Sequence, residues 1–423
     1  MRAIGRRIMP LVMLGYLVAS LDRVNVGFAS LQMNGSIGLG PENFGFGAGI
    51  FFVAYSLCAV PGTLLIQRIG MRRGIALVMV AWGLVSAATA FVRGPHSFYV
   101  LRFLLGATEA PFFPGVILYL GDWLPSRYRG RLLSILMVGL PLASVLGSPL
   151  SAALLSMNGA GLQGWQWLFL LEAAPAVAVG LVAFVLLPAS PAAARWLDAG
   201  QRSWLAAEVA QARRSQPLLP RHSSWRLLLD ARVLALSVIN IGAVAVTNGL
   251  AIWQPQIIHS YGLSVAATGL LNALPFALGC SAMFLWAWHS DRRRERRLHT
   301  AVPLALGAAA LGATFLQVGL PLAIVALCTA IAAASMIKSP FWALAAESVP
   351  AGTEAASFGH ITSLTNFGAF AGTWGIGRIV QSTGGFHAAM APLIVMMLAA
   401  CACALVVGRA AAGRGVDRVG GVA

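Results

Sequence analysis

The chain has 423 residues, 58% hydrophobic and 10% charged, with a mean hydropathy of +0.79 and a formal net charge of +16. So much apolar surface cannot be hidden in one water-soluble core, which excludes an ordinary soluble globular protein. The basic excess alone would suit a nucleic-acid binder, but most of the Arg residues lie at the termini and in loops between apolar runs, so the charge belongs to membrane topology and no nucleic-acid partner is expected.

A hydrocarbon layer takes about 20 apolar residues per helix. Runs of that kind between charge clusters predict twelve membrane helices, at 8–31, 44–66, 74–92, 97–121, 132–157, 166–188, 233–257, 265–288, 300–318, 322–346, 356–380 and 388–408. The first is opened by MRAIGRR, a basic start like that of a secretory signal. Its apolar run continues past Asp22 with no small-residue cleavage site before a polar segment, so it reads as an uncleaved first helix. Basic residues cluster at the N-terminus, after helices 2, 4, 6 and 8, and at the C-terminus, all on one side. The opposite side keeps Arg93 alone, while Arg23, Arg102, Lys338 and Arg378 fall within helices, so the positive-inside rule puts both termini in the cytoplasm. Cys58, Cys280, Cys328, Cys401 and Cys403 lie in the spans without metal-ligand spacing and read as packing residues; no metal and no cofactor is expected.

The expected domains are an N-terminal six-helix bundle (1–188), a cytoplasmic linker (189–232) and a C-terminal six-helix bundle (233–423). Within the linker, SPAAARWLDAGQRSWLAAEVAQARR has helical apolar spacing with Arg on the other face, the pattern of an amphipathic surface helix. QRIGMRR after helix 2 aligns with DRRRERR after helix 8. The fold class is therefore an all-α integral membrane protein of two pseudo-symmetric six-helix bundles, related by an axis along the membrane normal.

Charged residues inside helices carry the functional reading. At 1.5 Å per residue, Arg23 lies about 20 Å into a layer of about 30 Å, too deep to snorkel. An unpaired charge at the centre costs roughly 2.5–3.5 kcal/mol on insertion scales, so Asp22, Arg23, Arg102 and Glu109 must face the interior, pair, or meet water in a central cavity. Arg102 and Glu109 are seven apart and share one face of helix 4. Arg23 offers a planar fork that binds a carboxylate bidentately and keeps its proton. The competing reading is an Asp22–Arg23 or Arg23–Glu109 pair that only holds helices together. The repeat also aligns EAPFF (109–113) with KSPFW (338–342), which gives Lys338, the single Lys of the chain, the position of Glu109.

These stretches carry a family resemblance. GTLLIQRIGMRR resembles the loop signature of the major facilitator superfamily and SDRRRERR its second copy, with Gln67 in place of the usual acid and Arg294 in place of the usual Gly. DRVNVGFA (22–29), RFLLGATEAPFFPG (102–115), GWQWLFLLEAAP (164–175) and SPFWAL (339–344) resemble the anion:cation symporters, which move organic anions with a coupling ion. The resemblance implies Arg23 as the anion-binding residue and Asp22 and Glu109 as the proton-coupling acids. Tyr55, Ser339, Trp342 and Asn366 match substrate-contacting positions of that family, and Arg102 and Lys338 are the other candidate substrate cations. Asn25 and Glu172 read as interhelical polar contacts.

The implied function is proton-coupled import of an organic anion, such as a sugar acid, a hydroxy or dicarboxylic acid or an aromatic acid, by alternating access. Moving an anion inward against an inside-negative potential costs about 2.3 kcal/mol per charge per 100 mV, which one accompanying proton removes. The expected partners are the anion, protons and the lipid bilayer of a bacterial inner membrane, with the monomer as the working unit. HExxH, GxSxG and P-loop patterns are absent, so no enzyme is expected and no catalytic residue is assigned. The termini carry no segment that reads as a signalling domain. A drug:proton antiporter of the same fold is the alternative.

Overall fold

The computed structural model describes residues 2–124, 139–194, 196–214, 224–316, 319–349 and 352–420. After a short helix at Arg2–Arg7, the first half contains α1 (Met9–Ser36), α2 (Pro41–Ile69), α3 (Met71–Phe91), α4 (Pro95–Trp123), α5 (Gly139–Leu155) and α6 (Gly164–Leu186). A linker helix at Ala199–Arg214 follows. The second half contains α7 (Ala231–His259), α8 (Val265–Arg293), α9 (Arg297–Leu316), α10 (Leu320–Ser348), α11 (Glu354–Thr383) and α12 (Ala388–Val407).

Local chemistry explains the boundaries. Prolines open α1, α4 and α10, where a missing N–H costs nothing and the fixed φ suits a first turn. Asp230 caps α7 by accepting from the amides of Arg232 and Val233 at 2.8 and 3.3 Å, and Ser264 caps α8. Between α2 and α3 the chain turns at Gly70 with φ 92°, a conformation that glycine adopts without strain. The aligned residue in the second half, Arg294, adopts φ 51° at the end of α8.

Ten of these helices are long and apolar enough to cross a membrane among the described residues. α5 is shorter, with an apolar core at Leu142–Leu155, and residues 132–138 of its expected span lie outside the described residues. α11 is long enough at 30 residues but carries Ser357, His360, Thr362, Ser363, Thr365 and Asn366 in its first half, which lower its hydropathy. Its hydroxyls are partly absorbed by its own backbone, Thr362 donating to Phe358 O and Thr365 to Ile361 O.

The chain forms two compact units, Met1–Gly38 with Val53–Leu218, and Leu39–Phe52 with Leu219–Ala423. In the first, α1 packs on α5 and α6, and α3 on α4 and α6. In the second, α7 packs on α11 and α12, and α9 on α10 and α12. Each of these four pairings in one unit is the image of one in the other, so in these helices the internal repeat of the sequence is an internal repeat of the packing. Residues 39–52 belong to the second unit because Gly45 lets α2 press onto α11: a Cβ there would meet Thr373 O at 2.9 Å.

α4 and α10 are both interrupted at matching points. In α4 the helix stops at Glu109 and resumes at Phe112; in α10 it stops at Met336 and resumes at Lys338. Pro111 of the EAPFF stretch lies in the first interruption, and Pro340 of the aligned KSPFW stretch lies inside the resumed helix just past the second, each an imino acid that supplies no N–H to the helical ladder.

Candidate functional site

In the first unit, α1, α2 and α4 bring Arg23, Tyr55 and Glu109 together. Glu109 Oε1 accepts from Arg23 Nε and pairs with Nη2, each at 2.6 Å. The Tyr55 ring lies under the guanidinium, 4.9 Å from its carbon to the ring centroid. The Glu109 side chain is 1% exposed, whereas that of Arg23 keeps 30%, so the Arg23 side chain reaches accessible space and the carboxylate does not. Of the two pairings left open by the sequence, the structure forms Arg23–Glu109. Tyr16, seven residues before Arg23 on α1, lies beside the same group and packs on Phe113 at 5.4 Å between centroids. The sequence reading passed over Tyr16, though its two-turn spacing from Arg23 marks it as sharing that face.

Asp22 points away from this cluster, into the bundle. It is buried, and its Oδ1 accepts from Ser86 Oγ of α3 at 2.5 Å and from Asn25 Nδ2 at 2.9 Å. Asn25 therefore bonds within its own helix, rather than between helices as its sequence context suggested. Arg102 is also sealed, at 1% exposure, with Asp22 and Glu109 as its acidic neighbours. Glu172 of α6 is buried and accepts from Ser151 Oγ of α5 at 2.7 Å, an interhelical contact as expected. Ser86 was not singled out in the sequence, where it is one hydroxyl in an apolar run.

In the second unit, Lys338 opens the second segment of α10, half-buried, with Cys280 of α8 as its ionisable neighbour. Among the described residues it forms no ion pair. Ser339 follows it. Trp342, one turn on, is 37% exposed and meets Phe358 of α11 edge-on at 5.3 Å between centroids. Asn366 of α11 is half-buried. A separate cavity of about 310 Å³ is lined by Ser260, Tyr261, Thr314 and His387 among others, and contains none of the sequence-selected residues. No cluster of metal-ligating side chains occurs among the described residues.

The two loop signatures differ in their bonding. In the second, Arg296 pairs with Asp291 at 2.7 Å and donates to Ser290 Oγ at 2.9 Å. In the first, Gln67 stands where the acid stands in the second, and Arg72, the counterpart of Arg296, lies over the Phe184 ring at 5.6 Å.

A family model described as Major Facilitator Superfamily matches residues 12–373 of this sequence. The chain belongs to the Major Facilitator Superfamily. An Agrobacterium vitis member named "Putative tartrate transporter" is 44% identical over 387 residues, covering 91% of this chain and 86% of its own. A quinolone resistance transporter of Acinetobacter baumannii is 35% identical over 412 residues, covering 94% of this chain and 92% of its own. The crystal structure of a bacterial homologue of the human lysosomal transporter Spinster superposes with a TM-score of 0.77 at 16% identity, covering 95% of this chain and 96% of that one, which establishes the fold. This superfamily member is a multi-pass membrane transporter of a small molecule, not an enzyme.

Proposed function

We propose that the chain imports an organic anion by proton symport, with Arg23 as the carboxylate-binding residue and Asp22 and Glu109 as the proton-coupling acids. The observation that carries the reading is the Arg23 guanidinium, which pairs with Glu109, lies over the Tyr55 ring and belongs to a side chain that keeps 30% of its surface accessible. A carboxylate arriving at that surface competes with Glu109 for the same donors, and a proton on Glu109 frees them. Anion and proton binding then favour each other, as symport requires. Lys338 is a second cation of the proposed set, which suits an anion with two acidic or strongly polar groups. The tartrate name of the relative supports that chemistry. Arg102, Tyr55, Ser339, Trp342 and Asn366 complete the proposed substrate-binding set. We place the carrier in a bacterial inner membrane as a monomer, with both termini cytoplasmic and the linker helix on the cytoplasmic surface.

The test is uptake into proteoliposomes under an imposed inward proton gradient, with tartrate as the first probe, followed by sugar acids, monocarboxylates and aromatic acids. Accumulation above equilibrium that collapses with a protonophore supports the reading; no accumulation of any acid overturns it. A drug:proton antiporter has in its favour the name of the Acinetobacter relative. It predicts the opposite sign, extrusion of a fluoroquinolone in exchange for protons.

A further inference from the structure

The cavity of about 310 Å³ lies wholly within the second unit and shares no residue with the mechanism above. It sits where α7, α9 and α11 end and α10 and α12 begin, at the end of the unit away from the C-terminal end of α12. Its volume is at the lower limit of the range for small-molecule sites, about 300–1,000 Å³. Part of its lining is apolar and sealed: Ile257, Ala323, Leu327 and Met390 are each 7% exposed or less. Tyr261 and Phe386 are its aromatic members, and Phe386 is backed by Trp253, with ring centroids 6.0 Å apart.

The polar members are Ser260, Thr314 and His387, and the destinations of their hydrogens decide what they offer a ligand. Ser260 Oγ lies 2.7 Å from Ile257 O, and Thr314 Oγ1 lies 2.6 Å from Leu311 O. A carbonyl oxygen only accepts, so each hydroxyl donates to its own helix and keeps acceptor lone pairs. His387 Nδ1 lies 3.2 Å from Thr314 O, another carbonyl, so Nδ1 carries the proton and Nε2 of the neutral ring is an acceptor. All three side chains have thus spent a hydrogen on the backbone. Among the described residues, no acidic side chain and no Lys or Arg lines the cavity. Because three helices end there and two begin there, the partial charges of their termini oppose one another, and the side chains set the preference.

A carboxylate or phosphate would meet acceptors with acceptors and lose its hydration uncompensated. A protonated amine brings donors alone, which the three acceptors match, and its charge is favoured beside aromatic faces. The apolar lining calls for an apolar body on that amine.

We propose that this cavity is a binding site for an organic ammonium with an apolar body. The ammonium donates to Ser260, Thr314 and His387, and the body packs on Ala323, Leu327 and Met390. Such a ligand reinforces the tie between α9 and the α11–α12 turn that the His387–Thr314 bond makes. The site stands independently of the symport reading, and no transport assay enters its test.

The experiment is saturation-transfer NMR on the full chain in lipid nanodiscs near neutral pH, with empty nanodiscs subtracting partition into lipid. Benzylamine, benzyl alcohol and benzoate serve as probes that share a ring and differ in charge. Benzylamine should bind saturably, benzyl alcohol about tenfold more weakly, and benzoate should show no component that Ala323→Leu removes. Ala323→Leu places a larger side chain in the cavity and should abolish benzylamine binding. Phe386→Leu keeps apolar bulk but loses the ring, and should weaken benzylamine by about 2- to 30-fold, the range of one cation–π contact. Should Ala323→Leu fail to fold, Phe386→Leu carries the test, together with slowed amide exchange across 384–390 when benzylamine is added to the wild type. Absence of saturable benzylamine binding overturns the proposal. So does alcohol or benzoate binding as tight as that of the amine and equally lost in the variants, or benzylamine binding that a folded variant leaves unchanged.

Discussion

Two nitrogens of Arg23, Nε and Nη2, converge on a single oxygen of Glu109, Oε1, each at 2.6 Å. The other carboxylate oxygen, Oε2, is buried without a hydrogen-bond partner among the described residues. The pair is thus an end-on clamp, leaving one carboxylate oxygen on which a proton can sit, while the Arg23 side chain keeps 30% of its surface accessible. The predictions on Arg23 and Glu109 follow from that division.

Arg23→Lys keeps the charge and removes the fork. With only a point charge, the variant loses the paired donors that bind a carboxylate and, through Nε, hold Glu109. Tartrate binding, followed by ligand-induced thermal shift, should weaken by about 10- to 100-fold, the scale of one or two charge-assisted hydrogen bonds. Size-exclusion behaviour and insertion should be unchanged. Binding within a few-fold of wild type would remove Arg23 from the substrate site.

Glu109→Gln imitates an acid that never releases its proton. Substrate-for-substrate exchange should continue in proteoliposomes, while accumulation driven by a proton gradient should fall to equilibrium. If the variant still concentrates tartrate, coupling resides elsewhere, and Asp22→Asn becomes the decisive substitution.

Lys338→Met tests the contribution of the second half. If Lys338 meets a second acidic group of the substrate, uptake of a dicarboxylate should fall by about tenfold or more while that of a matched monocarboxylate changes little. Equal losses on both would assign Lys338 to structure, in keeping with its place at the start of a half-helix.

At the loop between α8 and α9, Glu295 accepts from the amides of Leu298 and His299, at 2.6 and 3.0 Å, and its Oε2 lies 2.6 Å from His299 Nδ1. Burial opposes its ionisation, but these hydrogen bonds outweigh that and hold the carboxyl below its usual range. A depressed folded value stabilises the protein fully above the unfolded value and loses that effect as pH falls through the folded one. The melting-temperature gap between wild type and Glu295→Gln should therefore be constant above about pH 5 and close below about pH 4. A gap that does not change with pH would assign the effect to packing.

Arg294 holds a left-handed conformation, φ 51° and ψ 31°, and its aligned partner, Gly70, also has a positive φ, of 92° with ψ 134°, which glycine adopts without penalty. The penalty for a side chain there is about 1–2 kcal/mol, partly offset because glycine gains freedom in the unfolded chain. Arg294→Gly should raise thermal stability modestly, by about 0.5–1 kcal/mol, and Arg294→Val should lower it, since β-branched residues tolerate this region least. A destabilised glycine variant would mean that the Arg294 side chain makes contacts worth more than the strain.

The spans were legible because hydrocarbon imposes a length, and ten helices clear that threshold on composition alone. Their ends were less so: α1, α2 and α8 run several residues beyond their apolar runs, into the interface where composition no longer constrains the backbone, until Gly38, Gly70 and Arg294 change its direction. The membership of residues 39–52 in the second unit was not readable, since it depends on a close approach at Gly45 to a helix far along the chain. Within the site, the Arg23–Glu109 pair was among the arrangements that the charges allowed. The partners of Asp22 were not, because Ser86 is a small hydroxyl in an apolar helix and only three-dimensional proximity distinguishes it. Lys338 and Glu109 were linked through the aligned EAPFF and KSPFW stretches, and each of the two residues stands beside a break in its helix.

That last correspondence has a genetic side. Glu and Lys codons differ only in their first base, so one nucleotide separates the acid beside the break in α4 from the base beside the break in α10. A duplicated half can therefore invert the charge at this position in a single step, with no intermediate of different size or polarity. The sign of the charge at this position is accessible to mutation in both directions. Its reversal is as near as its origin.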